Sequence, residues 1–134
     1  MSHLIDSALL SSFDAGSFGL PIASENRPYD PQPGTAWAQL FVVHAQPSIA
    51  TMGSGGQDEI TGFLQVNLNY PEGDGGGAAK QKATAIRDYF TAGSKHSYGG
   101  VDVFIANAGR GASFNVDSWY RLVVTINWYT RLTR

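Results

Sequence analysis

Cysteine is absent from the 134-residue chain, which excludes disulfide frameworks, thiolate metal sites and thiol nucleophiles. Charge is sparse too. Nine Lys and Arg against eleven Asp and Glu leave a formal net charge of −2, without the basic excess of a general nucleic-acid binder, so no specific nucleic-acid binding is expected. No stretch approaches the ~18 continuous apolar residues of a membrane-spanning helix, and no membrane partner is expected. The opening MSHLIDSALLSSF has neither a basic leading region nor an unbroken apolar segment and does not read as a signal peptide. The three histidines, His3, His44 and His96, fall in three different predicted elements, at no spacing expected of a local metal site. Length favours one domain, 1–134: enough chain for a self-sufficient core, too little for two domains of ordinary size.

What is present is the pattern of a mixed fold. Ile5, Ala8, Leu9 and Ser12 share a helical stripe flanked by Leu4 and Phe13, which predicts a helix over 3–13 with Ser2 as its cap. Leu20 to Ala23 can start an edge strand, where Pro21 is tolerated. Pro28, Pro31 and Pro33 make 28–34 a stiff loop. Trp37 to Ala45 reads as a strand, with the apolar run Leu40–Val43 suited to a central position, and Ile49 to Met52 as a further extended piece. Gly53-Ser54-Gly55-Gly56 then signals a hairpin turn. In the return strand Leu64, Val66, Leu68 and Tyr70 alternate with Phe63, Gln65, Asn67 and Asn69, which predicts one buried and one largely polar face. Past the glycines of 73–77, Ala79, Ala83, Ile86 and Phe90 form a narrow helical stripe, with Lys80, Gln81, Thr84, Arg87 and Asp88 off it. Val101, Val103 and Ile105 alternate in one closing strand, and Tyr120, Leu122, Val124, Ile126 and Trp128 in another. The expected class is α+β, two helices and a mainly antiparallel sheet, in the order α-β-β-β-α-β-β.

Two phrases imitate cofactor sites. VDVFIANAG, 101–109, resembles the end of a dehydrogenase strand beside a nicotinamide. A dinucleotide fold, however, needs its glycine-rich turn between the first strand and the next helix, and an acidic residue ending a strand about 20 residues beyond. Here the glycine run lies at 73–77, after the third strand, and no such acid follows. Neither Tyr120 nor Tyr129 has the lysine four positions later that a short-chain dehydrogenase uses. The phrase reads instead as a strand ending in an Asn/Gly turn. Gly73 to Lys80 likewise misses the phosphate-loop pattern, because Ala78 and Ala79 follow Gly77 and Gln81 follows Lys80. Asp58, Glu59, Glu72 and Asp74 sit in turns, with nothing to raise a general acid's pKa. No G-x-S-x-G elbow occurs. The expectation is a protein without cofactor and without catalytic chemistry. Tyr29, between prolines, and Trp119, before the last strand, stand out as aromatic residues of the kind enriched in interfaces.

Residues 53–90 carry a more specific likeness. A glycine turn is followed by T-G-x-x-Q-V-x-x-x-Y-P-x-G-x-G and an alanine-rich helix ending in Phe90. The strand phrase WYRLVVTINW, 119–128, and the earlier IASEN, 22–26, extend it. In these features, from about Leu20 to Trp128, the chain resembles the tail-terminator (tail-completion) proteins of long-tailed bacteriophages. The resemblance implies a structural virion protein and no enzyme. It implies a homohexameric ring on the finished tail tube that stops further tube subunits from adding and offers the head-joining surface. Its partners would be itself, the tail tube protein and the head–tail connector protein, in a virion tail assembled in the bacterial host cytoplasm. No motif of the family fixes its contact residues. Local reading supplies the candidates: Tyr29 in the proline loop, Thr51, Met52, Asp58 and Glu59 around the hairpin tip, and Arg110 in the last turn. Two alternatives stand beside this reading: another ring component of the neck or tail tube, and a small-ligand-binding α+β domain, which would need an enclosed apolar pocket.

Overall fold

The computed structural model describes residues 2–23, 34–45, 48–49, 56–73, 76–116 and 118–133. The elements run α1 (Ser2–Ala15), β1 (Ile22–Ala23), β2 (Trp37–His44), β3 (Ser48–Ile49), β4 (Gln57–Pro71), α2 (Gly77–Tyr89), β5 (Lys95–Tyr98), β6 (Val101–Val116) and β7 (Trp119–Thr133). The α+β class and the expected order hold, with the short β3 and β5 as additions. The sheet has seven strands in the order β1-β2-β4-β7-β6-β5, and β3 pairs with β4 off that path. Among the described residues only the β1–β2 pair is parallel; the other pairs are antiparallel.

The two long strands β4 and β7 pair in unbroken register from Gln57↔Thr133 to Pro71↔Trp119 and form the middle of the sheet. Their β-branched and aromatic content suits a pleated surface. Leu64, Val66 and Leu68 of β4 and Leu122, Val124, Ile126 and Trp128 of β7 turn to one face and are buried. Both helices cover that face. Ile5, Ala8, Leu9 and Phe13 of α1, and Ala79, Ala83, Ile86 and Phe90 at α2, complete the core as the stripes predict. Complete burial of an isoleucine such as Ile86 contributes about 1.5–3 kcal/mol, and α2 depends on it. Gly76 caps that helix without a side-chain hydrogen bond, and a short helix in water has little stability apart from its packing. Two polar ties fix the helical layer. Asp6 of α1 lies 2.6 Å from His44 of β2, and Lys82 of α2 donates to the Phe18 carbonyl oxygen.

Three local expectations change. The strand at Val101 does not stop in a turn after Ile105; β6 continues through Asn107, Gly109 and Arg110 to Val116. It does so because β7 offers a partner along that whole length, with register irregularities between Ile105 and Asn107 and between Arg110 and Ser113 absorbing the extra residues. Asp58 and Glu59 are not loop residues. They lie inside β4, held between β3 and β7. Ser2 is the first residue of α1 and not its cap. The turn chemistry is otherwise as glycine allows: Gly99 and Gly100, both at positive φ, close a two-residue hairpin between Tyr98 and Val101.

Candidate assembly surfaces

The face of the sheet turned away from the helices has no helix upon it among the described residues. Register assigns its rows. Trp37, Asn69, Arg121 and Phe114 form one, and Phe41, Gln65, Thr125 and Gly109 another. Val43, Phe63, Asn127 and Asn107 follow, then Thr61, Tyr129 and Phe104. At the Trp37 end the face is a polar ladder. Arg121 Nε donates to Asn69 Oδ1 at 2.8 Å, and Asn69 Nδ2 to the Asn67 carbonyl oxygen at 3.3 Å. Gln65 Nε2 donates to Asn67 Oδ1 at 2.9 Å. Asn67 and Asn69 are buried, and these bonds offset the cost of removing their amides from water.

Toward the other end the same face becomes aromatic. Phe104 and Tyr129 stack with centroids 5.5 Å apart, and Val43, next to Phe63 in the neighbouring row, is 41% exposed. Gln57, Gly100, Val101, Asp102, Phe104, Tyr129 and Arg131 line an open groove of about 500 Å³ there. Arg131 reaches Glu59 at 3.9 Å. Ser97 Oγ donates to Asp102 Oδ1 at 2.6 Å.

A second open groove, of about 320 Å³, lies on the helical side and is lined by Ala83, Thr84, Arg87, Gly109 and Arg110. Thr84 Oγ1 donates to the Lys80 carbonyl oxygen at 3.1 Å, so its hydroxyl hydrogen is engaged along the helix. Two guanidinium groups, from α2 and β6, thus border one cleft.

The predicted contact residues divide accordingly. Tyr29, Thr51 and Met52 lie outside the described residues. Asp58 and Glu59 occupy one end of β4, opposite Leu132 and Arg131. Arg110 pairs with Val124, seven positions back along β7 from Arg131, roughly 23 Å at the rise of a strand. The structure therefore does not bring Arg110 to the acidic pair. It brings Arg110 to Arg87, a neighbour that sequence reasoning placed among solvated helix charges. The aromatic cluster of the open face was equally unassigned; alternation puts Phe63 on the second face, but only strand order sets Tyr129 and Phe104 beside it. Among the described residues no three or more of His, Asp and Glu gather as a metal site, and no helix is long and apolar enough to cross a membrane.

Residues 4–128 match the family model described as phage tail terminator protein. The chain belongs to that family. Terminator membership makes it a component of phage tail assembly, as the turn and strand phrases at 53–90 and 119–128 suggest. No curated protein matches the terminator chain. Among solved structures, one aligns over 97% of this chain and 95% of its own at 22% identity, with a TM-score of 0.78, a likeness that speaks for the fold alone.

Proposed function

We propose that this terminator-family chain works as a single structural domain, forming a homohexameric ring on the completed tail tube. The ring ends tube polymerisation and presents the surface that the head–tail connector protein joins, within a virion tail assembled in the bacterial cytoplasm. The observation that carries this reading is the family match across nearly the whole chain. The surfaces agree with it: a heterologous ring needs two different patches on each subunit, and the open sheet face and the Arg87–Arg110 cleft differ in chemistry, face and position. Neither groove is enclosed, as a small-ligand site would be. The protein acts without cofactor, metal or catalytic step, and its contacts are with its own copies, the tube protein and the connector.

Deleting the gene from its phage and imaging the particles by negative stain tests the role. Over-long tails that carry no head are expected, restored to normal by the chain supplied in trans. Tails of wild-type length joined to heads in the deletion would sink the proposal. Titration calorimetry with NAD(H), NADP(H), ATP and zinc should give no saturable micromolar heat; such binding would return the cofactor readings.

A further inference from the structure

We propose that neighbouring subunits join by seating the Arg87–Arg110 cleft of one copy against the Asp102–Phe104–Tyr129 groove of the next. This rests on the ring proposed above.

Arg87 and Arg110 come from different elements and border the same cleft. Both are exposed, and neither has a carboxylate partner among the described residues. Two permanently charged guanidiniums on one cleft repel each other unless an anion comes between them. Lys80, two turns before Arg87 on α2, adds a third exposed cation along that side of the helix. Gly109, whose Cβ direction belongs to the open face, brings only backbone to this cleft, which is open and holds about 320 Å³. The cleft can therefore admit the edge of another protein, and the chemistry it asks for is a carboxylate.

The aromatic groove offers what an arginine prefers. Phe104 and Tyr129 present a stacked aromatic pair, and Asp102 supplies an exposed carboxylate beside it. Guanidinium groups bind carboxylates and stack on aromatic rings, gaining from both at once. The cation already in the groove, Arg131, is drawn to Glu59, while Asp102 has a hydroxyl donor and no cation partner among the described residues.

Position decides between a neighbour and the same molecule. Arg110 lies opposite Val124, whose side chain is on the helical face; Phe104 lies opposite Tyr129, on the open face. The two patches thus sit on opposite faces of one sheet, five positions apart along β7, so they cannot meet within a subunit. Between copies they make a contact of two unlike patches, the type that closes into a ring.

Charge reversal in the full-length chain, supplied to a phage that lacks the gene, tests the contact. One variant carries Arg87→Glu with Arg110→Glu; the other carries Asp102→Lys. Each alone should lower the phage titre by about 100-fold or more, since like charges then face each other at every contact. Expressed together they should recover to within about 10-fold of wild type, because an even-membered ring can alternate the two variants and restore opposite charges throughout. Unchanged melting of both purified proteins separates lost assembly from lost folding. If reversal itself destabilises the chain, Arg87→Gln with Arg110→Gln reads the same contact: titre falls, and Asp102→Lys recovers it only in part, because alternation then restores half of the contacts. Wild-type titre from either reversed variant alone, or no recovery from the mixture, overturns the contact while leaving the ring intact. A phage that needs no terminator at all removes the ring instead.

Discussion

Replacing Gly62 by alanine is the smallest change expected to damage this fold severely. Gly62 lies in β4, opposite His44 of β2 on one side and Trp128 of β7 on the other. A Cβ there would overlap the Val43 carbonyl oxygen far inside van der Waals contact and stand 2.6 Å from Trp128 Cζ2. Backbone cannot rotate away as a side-chain tip can, and Trp128 is itself buried between strands and helix. Either β2 peels from β4 near Ala45, whose amide bonds the Thr61 carbonyl oxygen at 2.8 Å, or Trp128 leaves its site. Overpacking of this kind costs about 1–3 kcal/mol, and a lost ladder hydrogen bond about 1 kcal/mol more. The sum, ~2–4 kcal/mol, compares with the ~5–15 kcal/mol that holds a domain together. With an unfolding entropy near 2.1 cal/mol/K per residue, about 3 kcal/mol lowers Tm by roughly 10 °C in a chain of 134 residues. Thermal unfolding followed by circular dichroism measures it, with Gly77→Ala as the contrast. Nothing lies within 4 Å of a Cβ at Gly77, and alanine in the first turn of α2 should hold or raise stability by up to about 1 kcal/mol. Equal melting of Gly62→Ala and wild type would refute the close approach of the three strands.

Ile86→Asp places an unpaired carboxylate in the fully buried seam between α2 and the sheet, at a cost of several kcal/mol; soluble, cooperatively melting protein should be lost, and wild-type melting would show the helix facing another way. Burial against Phe90 and Tyr89 pushes the His96 imidazole below its ordinary pKa of 6.5. The unfolded chain therefore binds this proton more readily. The His96 contribution to stability is full above about pH 6.5 and declines as pH falls from there toward the folded pKa. Denaturant midpoints of His96→Gln should show a shallower decline than wild type in that range, and parallel curves would contradict the burial. Glu59→Lys, at the end of β4, should change stability by about 1 kcal/mol or less, since the Glu59–Arg131 pair is long and partly solvated. In phage the same variant should give over-long or headless tails; normal tails at wild-type yield would remove this edge of β4 from the ring contact.

Local periodicity determined much of this protein by itself. The stripes Ile5-Ala8-Leu9 and Ala79-Ala83-Ile86 become the buried sides of two helices, and Leu64-Val66-Leu68 and Leu122-Val124-Ile126 become one sheet face. Each pattern records, within a dozen residues, which side must leave water. The glycine turns and the family phrases are local as well, and they carried the terminator likeness that the family match bears out. Strand order is another matter. No local signal places β7 between β4 and β6, because the choice depends on the combined packing of segments some sixty positions apart in the pair Leu64↔Ile126. That choice extends β6 through an expected turn and draws Asp58 and Glu59 into a strand. It also gathers Phe63, Tyr129 and Phe104 on one open face. Arg87 and Arg110 show the same limit from the side of function: each reads as a solvated charge in its own segment, and only the docking of α2 over β6 makes them two walls of one cleft.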